Sequence, residues 1–288
     1  MVMERLLTKI VKEYFNEMKV IEWKRVYGGD INESYYVRTK EQEYFVKCRP
    51  SPPPRFFTSE KIGLEQIRHT KSIPVPKIFH LYEDSSFGYL ILEWIKGKET
   101  NDTEEKLGVL LANMHQATSN CFGFSHDTYI GLIPQQNQWD KTWLDYYREC
   151  RLIPQIKLAL DKGFFTPSVR KKLYSLVDHL EKWVPAKPHA ALLHGDLWSG
   201  NWIVGQSGTP YLIDPSILYG HHEFELAFTE LFGGFSKTFY DAYKSVQPLS
   251  NNYEDRKPIY QLFYLLVHVN LFGESYIPSV ERIVHRYV

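Results

Sequence analysis

The amino-acid sequence predicts an α+β chain in two lobes, an antiparallel-sheet lobe over residues 1–95 and a mainly helical lobe over 96–288. Three observations carry this. Short runs rich in aromatic and β-branched residues, with turn residues between them, crowd the first third. From about residue 102 apolar residues recur instead at three- and four-residue spacing. The length, 288 residues, suits about two domains of ordinary size or one bilobal unit.

The elements follow in order. An amphipathic helix is expected over 3–18, where charges recur every few residues and no continuous apolar stretch of a signal peptide exists. Strands come around 20–26, at 34–38 (Ser-Tyr-Tyr-Val-Arg) and at 43–48 (Glu-Tyr-Phe-Val-Lys-Cys). Pro50-Ser-Pro-Pro-Pro54 is an extended loop, because proline blocks both helix and ladder. Phe57, Ile62, Leu64 and Ile67 give helical spacing over 57–71. Strands at 77–82 and 88–95 flank the turn Glu83-Asp-Ser-Ser86. Asp102 or Thr103 caps a helix carrying Leu107, Leu110, Leu111 and Met114. Further helical patterns cover 138–149, 150–162, 167–183, 222–246 and 255–272, and a loop with two short strands interrupts them between 192 and 214.

Composition excludes several classes of function. Aromatic residues make up 15% of the chain, far from a disordered composition. Lys+Arg and Asp+Glu both number 34, so no whole-protein field favours a polyanion and no nucleic-acid partner is expected. No run of 18 apolar residues occurs, so no membrane span is expected. Cys48, Cys121 and Cys150 are odd in number, far apart and in no CxxC pattern, which suits reduced thiols and a cytoplasmic protein.

The chemistry concentrates in His194-Gly-Asp196-Leu-Trp-Ser-Gly-Asn201 and in Asp214, thirteen residues later. Polar residues that interrupt apolar, burying runs must be held at a site or paired. An aspartate, an asparagine five positions on and a later lone aspartate are what phosphoryl transfer from a nucleotide requires. One carboxylate accepts the acceptor hydroxyl's proton, and the amide and second carboxylate hold Mg²⁺ through oxygen. Read singly, each is equally an Asx turn or a cap. In the first lobe, Tyr27-Gly-Gly-Asp-Ile-Asn32 lies between strands, and Gly28 and Gly29 either let backbone N–H groups approach phosphates or form a plain hairpin. Lys47 shares a strand face with Phe45, opposite Tyr44, Val46 and Cys48. If that face is buried, Lys47 needs an anionic partner, and Glu60 on the next helix is the candidate; on an edge strand Lys47 faces solvent.

Four further features invite a role. Glu93-Trp-Ile-Lys-Gly97 links the lobes, and the backbone of Glu93, Trp94 and Ile95 could meet an adenine edge or serve only as a linker. Trp198 and Tyr219 could stack on a sugar face, with core packing the alternative for Trp198. His194 is expected to orient the loop backbone. In His221-His222-Glu223, adjacent histidines are expected to point apart and to hold no metal, and His221 and Glu223 are taken as candidates for substrate contact.

These motifs together resemble the kinase-like phosphotransferases and, within them, the fructosamine and ketosamine kinases. The resemblance runs through His194–Asn201, Asp214-Pro-Ser-Ile-Leu-Tyr-Gly-His-His-Glu223, Phe224-Glu-Leu-Ala-Phe228, Leu231-Phe-Gly-Gly-Phe235, Gly28–Asn32, Phe122-Gly-Phe124, Ile130-Gly131 and Gln261 to Gly273. Ser216 and His222 depart from the family pattern, which carries Ala and Arg there. The resemblance implies a bilobal protein-kinase-like fold, with ATP and Mg²⁺ as cofactors and a nucleotide-binding first lobe. It implies that Lys47 holds the α- and β-phosphates, Glu60 pairs with Lys47, Asp196 is the base, and Asn201 and Asp214 are the metal ligands. The implied partner is a ketoamine, small or protein-bound, phosphorylated on its 3-hydroxyl so that deglycation follows. Other readings are a small-molecule kinase of aminoglycoside or choline type, and an inactive nucleotide-binding pseudokinase. The mark of the last would be a missing Lys, Asp or Asn, and all are present.

Overall fold

The first lobe is built around a five-stranded antiparallel sheet in the order β1-β2-β3-β5-β4. Its strands are β1 (Val20–Val26), β2 (Glu33–Thr39), β3 (Glu43–Pro50), β4 (Ile78–Glu83) and β5 (Phe87–Glu93). This computed structural model describes Ile10, Glu13, Tyr14, residues 20–27 and residues 31–288. Most of the helix expected over 3–18, and both Gly28 and Gly29, therefore lie outside the described residues.

Strand alternation sets what each face of the sheet does. Tyr44, Val46 and Cys48 of β3 pack with Tyr35, Val37, Tyr89 and Ile91 in one apolar cluster, which Ile10 also joins. Lys47 points the other way, at a position flanked by Ser34 of β2 and Leu90 of β5. A central strand thus carries a lysine on its inner face. Across that face lies α1 (Phe56–Thr70), burying Phe57, Leu64 and Ile67. Arg55, before its first turn, offers no side-chain cap. The Glu83 carboxylate of β4 instead accepts from the Phe57 and Thr58 N–H groups at 3.0 and 3.1 Å. An anion at a helix N-terminus meets both the free N–H groups and the dipole, and here it also ties α1 to the sheet.

The rest of the chain is mainly helical. Its helices are α2 (Thr103–His115), α3 (Trp143–Tyr146), α4 (Ile153–Asp161), α5 (Pro167–Asp178), α6 (His222–Thr229), α7 (Lys237–Val246), α8 (Tyr253–Phe272) and α9 (Ile277–Tyr287). Its strands are short: β6 (Thr118–Ser119), β7 (Thr128–Ile130), β8 (Ile133–Gln135), β9 (Ala190–Leu193), β10 (Trp202–Val204), β11 (Pro210–Leu212) and β12 (Leu218–Gly220). They pair as β12-β9-β6, β10-β11 and β7-β8. The loop 194–201 therefore hangs between β9 and β10, and Asp214 between β11 and β12.

Two further clusters fill the interior. One lies wholly in the helical part, where Trp143, Tyr147, Phe224, Tyr260 and Tyr264 are buried together. The Phe228 and Tyr264 rings stack there at 3.7 Å. The other joins Phe57, Leu64, Ile67, Leu90 and Leu92 from the first lobe to Leu107, Leu111, Leu192, Leu197 and Leu212 from the second. The sheet stops at Glu93, but the apolar core continues past it.

Several expected boundaries move. The expected helix over 138–149 begins only at Trp143, because Asp140 bridges to Phe122 and Thr142 caps the turn that follows. Its continuation, Tyr147–Leu152, is π-helical. The expected helix over 167–183 ends at Asp178. The expected helix over 222–246 is two helices, since Gly233 and Gly234 take φ of 91° and 70°, outside helical space. Helix α9 and strands β6 to β8 and β12 are not among the expected elements. Among the described residues no helix is long and apolar enough to cross a membrane.

Trp143 is fully buried and donates its indole N–H to the Tyr260 hydroxyl at 2.9 Å. Trp143→Ala is expected to cost about 3–5 kcal/mol in chemical denaturation, through the cavity and the lost hydrogen bond. A loss under about 1 kcal/mol would show that this cluster does not organise the helical lobe.

Candidate active site

Lys47 is 5% exposed. Its ammonium donates to Glu60 Oε1 at 2.7 Å and makes a second ion pair with Asp214 Oδ1. Burial works against its charge, but the Asp214 and Glu60 carboxylates more than offset this and raise its pKa. Burial pushes the Glu60 carboxyl up to about 7, opposed by Lys47 and reinforced by Asp214. The three groups come from β3, from α1 and from the turn after β11. A single buried cation thus joins both lobes.

Helix α1 is also fastened to the second lobe at other points. A Cβ on Gly63 would come within 2.9 Å of Pro215 Cγ, so glycine allows this close approach. Gln66 donates to the Tyr219 hydroxyl at 3.1 Å, and Tyr129 of β7 donates to the Pro54 carbonyl at 2.9 Å.

The loop after β9 is held by its backbone. Gly195 has φ 84°, and a Cβ there would lie 1.9 Å from the Ser216 carbonyl oxygen. The Ser216 N–H donates to the His194 carbonyl at 2.8 Å, closing the loop against the Asp214 turn. His194 is completely buried, and burial lowers its pKa. Its Nε2 lies 2.7 Å from the Ile213 carbonyl, which can only accept, so Nε2 carries the hydrogen. Its Nδ1 then accepts from the Asp196 N–H at 3.3 Å. His194 therefore orients backbone on both sides of the site.

Asp196 and Asn201 are coupled directly. Asn201 Nδ2 donates to the Asp196 carbonyl at 2.7 Å and to Asp196 Oδ2 at 3.1 Å. This commits the NH₂ end of the amide and keeps Oδ1 as the atom a cation would use. The Ile213 N–H donates to the Asn201 carbonyl at 3.0 Å, so the residue directly before Asp214 is tied to the loop. Asp214 adopts φ 56°, a conformation uncommon for a non-glycine residue. Burial raises the Asp196 pKa well above the usual carboxylate range, and the Asp214 charge adds to this while Asn201 opposes it.

The donor set fits a hard divalent cation. The Asn201 amide is bonded to Asp196 through its NH₂ end, and Asp214 follows the Ile213 N–H that bonds the Asn201 carbonyl, so the oxygens offered are those of carboxylates and an amide, with no thiolate or imidazole in the set.

The other candidates separate into two groups. Trp94 packs on Tyr36 and Phe45, with ring centroids 4.9 and 6.1 Å away, which holds the Glu93–Ile95 segment against the sheet. Trp198 is 42% exposed beside Asp196, so its ring is available to a ligand. Tyr219 is half-buried and its hydroxyl is taken by Gln66. His221 and Glu223 are corrected as direct substrate contacts, because both are buried and already partnered. His221 meets the Tyr260 hydroxyl at 2.8 Å, and Glu223 pairs with Arg256 and accepts from the Ser250 N–H. The expectation that His221 and His222 point apart also fails: a ligand atom from each lies within 4.8 Å of a Glu223 oxygen and of one another. The Arg256 guanidinium on Glu223 opposes a cation there.

The sequence reading missed Gln66, Tyr264 and Glu225. Tyr264 donates to the Gly195 carbonyl at 3.0 Å, yet its spacing in α8 is simply that of a core aromatic. Glu225 did leave a signal, a carboxylate between Phe224 and Leu226 in a run that otherwise buries.

Comparison with known proteins agrees with this geometry. The family model described as fructosamine kinase matches residues 2–288. An Enterococcus faecium protein named a probable ketoamine kinase is 38% identical, over 91% of this chain and 94% of its own. The Arabidopsis thaliana chloroplastic protein-ribulosamine 3-kinase is 37% identical, over 91% of this chain and 81% of its own. The crystal structure of a Thermobifida fusca protein, provisionally named a fructosamine-3-kinase, superposes with TM-score 0.86 at 30% identity, covering 96% of each chain. With a kinase-like fold, the charge group at Lys47 and a family match over nearly its whole length, the chain belongs to the fructosamine kinase family.

Proposed function

We propose that the protein transfers the γ-phosphoryl group of ATP to the 3-hydroxyl of a ketosamine, a sugar joined through nitrogen to lysine or another amine. The observation that carries this reading is the charge group of Lys47, Glu60 and Asp214, set beside the hydrogen-bonded pair Asp196–Asn201. Positioning and charge compensation are the main tasks of a phosphotransferase site.

Each residue has a part. Lys47, kept charged by Glu60, binds the α- and β-phosphates. The backbone of Glu93, Trp94 and Ile95 meets the adenine edge. Asp196 accepts the proton of the acceptor hydroxyl as its oxygen attacks phosphorus, and its raised pKa suits holding that proton. Asn201 Oδ1 and the Asp214 carboxylate would hold Mg²⁺. When bound, Mg²⁺ neutralises charge on the phosphate oxygens. Asp214 is 42% exposed at its side chain, so it can exchange Lys47 for a cation more readily than buried Glu60 can. The exposed indole of Trp198 supplies an apolar face for the sugar.

The product explains the purpose of the reaction. Proton loss from C1 of a 3-phosphorylated ketosamine gives an enaminol, from which the C3 phosphate leaves with its bonding electrons. The resulting imine takes up water and releases the amine.

A phosphorylation screen tests the reading, with ATP and Mg²⁺ over ketosamines of differing chain length and with aminoglycosides and choline as controls. Turnover of the controls but not of any ketosamine would refute the substrate class. Asp196→Asn is expected to lower kcat by about 10²–10⁴-fold while nucleotide affinity holds, measured by calorimetry alongside the assay. Retention of most turnover would remove Asp196 from the base role. Asp214→Ala is expected to abolish the Mg²⁺-dependent part of nucleotide affinity, as chelation does in the unaltered protein. Equal affinity with and without Mg²⁺ in the unaltered protein would contradict the metal role.

A further inference from the structure

Helices α2, α6 and α7 each send one polar side chain to the back of the loop that carries Asp196. Glu225 of α6 is completely buried. Its Oε1 accepts from the Gly195 N–H at 2.6 Å, and its Oε2 accepts from the His194 N–H at 3.0 Å and meets His115 Nε2 at 2.8 Å. His115, the last residue of α2, meets the Tyr243 hydroxyl of α7 at 2.6 Å through Nδ1. The close approach of α2 and α7 depends on Gly108, where a Cβ would come within 2.3 Å of the Phe239 carbonyl oxygen. That approach sets Tyr243 against His115.

The bond directions permit one reading. A carboxylate only accepts, so His115 presents Nε2–H to it, and Nδ1 takes the Tyr243 O–H. Glu225 thus accepts three N–H bonds, two of them from peptide groups immediately before Asp196. The carbonyls of the same segment are taken too, Gly195 by Tyr264 and His194 by the Ser216 N–H. Burial opposes the Glu225 charge, but the hydrogen bonds from His115 and from the Gly195 N–H more than offset it, and its pKa is lowered. A buried carboxylate with three donors is anchored more firmly than a neutral acceptor would be.

We propose that Glu225, oriented by the His115–Tyr243 pair, is a positioning residue that fixes the His194 and Gly195 N–H groups and through them aims the Asp196 carboxylate at the acceptor hydroxyl. The inference rests on the phosphotransfer reading above. Glutamine at 225 keeps the shape but must turn its NH₂ against at least one N–H, since both carboxylate oxygens accept from donors.

The test compares the unaltered protein with Glu225→Gln in two measurements. Turnover of a ketosamine by the unaltered protein decides the phosphotransfer reading separately. Amide exchange followed by NMR needs no substrate and stands whichever way that falls. In the variant, exchange at His194 and Gly195 is expected to rise while Leu192 and Leu193 of β9 stay protected. On the substrate the unaltered protein uses, kcat is expected to fall on the order of 10²-fold, and both KM values to stay within about twofold. Unchanged kcat overturns the proposal, as does exchange that rises equally through β9, which would mark a general loss of structure. If Glu225→Gln does not fold, Tyr243→Phe, which removes one hydroxyl, is expected to lower kcat roughly three- to tenfold at constant KM. Unchanged kcat in that variant overturns the proposal equally.

Discussion

The structure depends on one buried positive charge. An ammonium on the inner face of a central strand is costly to desolvate, and only close, hydrogen-bonded carboxylates offset the cost. Lys47 has two, Glu60 from α1 and Asp214 from the second lobe. Satisfying it fixes the register of β3, the rotation of α1 about its axis and the position of the turn after β11. The two partners are not equivalent. The Glu60 side chain is 12% exposed and the Asp214 side chain 42%, so solvent weakens the second pair far more than the first. Glu60 is the standing partner. Asp214 is the more exposed of the two.

Backbone constraints complete the site. Gly195 and Asp214 both take positive φ, and they sit on two segments joined by the Ser216 N–H to the His194 carbonyl and by the Ile213 N–H to the Asn201 carbonyl. At Asp214, a non-glycine residue, strain of about 1–3 kcal/mol persists only where surrounding contacts over-determine it. Here the contacts are the hydrogen bonds of His194, Tyr264 and Glu225. Polar groups buried behind the loop therefore maintain a geometry that the loop sequence alone would not hold.

Much of this could be read in the chain. Alternation in Glu43-Tyr-Phe-Val-Lys-Cys48 placed Lys47 opposite an apolar face, and helical spacing through Phe57, Leu64 and Ile67 placed Glu60 on a helix beside it. Both are local patterns of a single element. What escaped depends on distant partners or on local breaks overruled by packing. Pro278 reads as a breaker, yet it occupies the first turn of α9, where proline is tolerated, and Val280, Ile283 and Val284 bury behind it. Gly233 and Gly234 divide a stretch whose apolar spacing is otherwise continuous. His221 and Glu223 lie close to the motif in sequence, but Arg256 and Tyr260 on α8 claim them, and no periodicity shows that. Glu225 was visible only as a carboxylate out of place.

The central claim is that both lobes direct Lys47, Asp196, Asn201 and Asp214 onto one terminal phosphate. A crystal structure of the protein with Mg²⁺ and a non-hydrolysable ATP analogue tests it most directly. The account predicts Lys47 on the α- and β-phosphates and still bonded to Glu60, the cation on Asn201 Oδ1 and Asp214, and the Asp196 carboxylate facing the γ-phosphate. A nucleotide bound elsewhere, or a γ-phosphate out of reach of Asp196 with Lys47 still closed on Asp214, would contradict it.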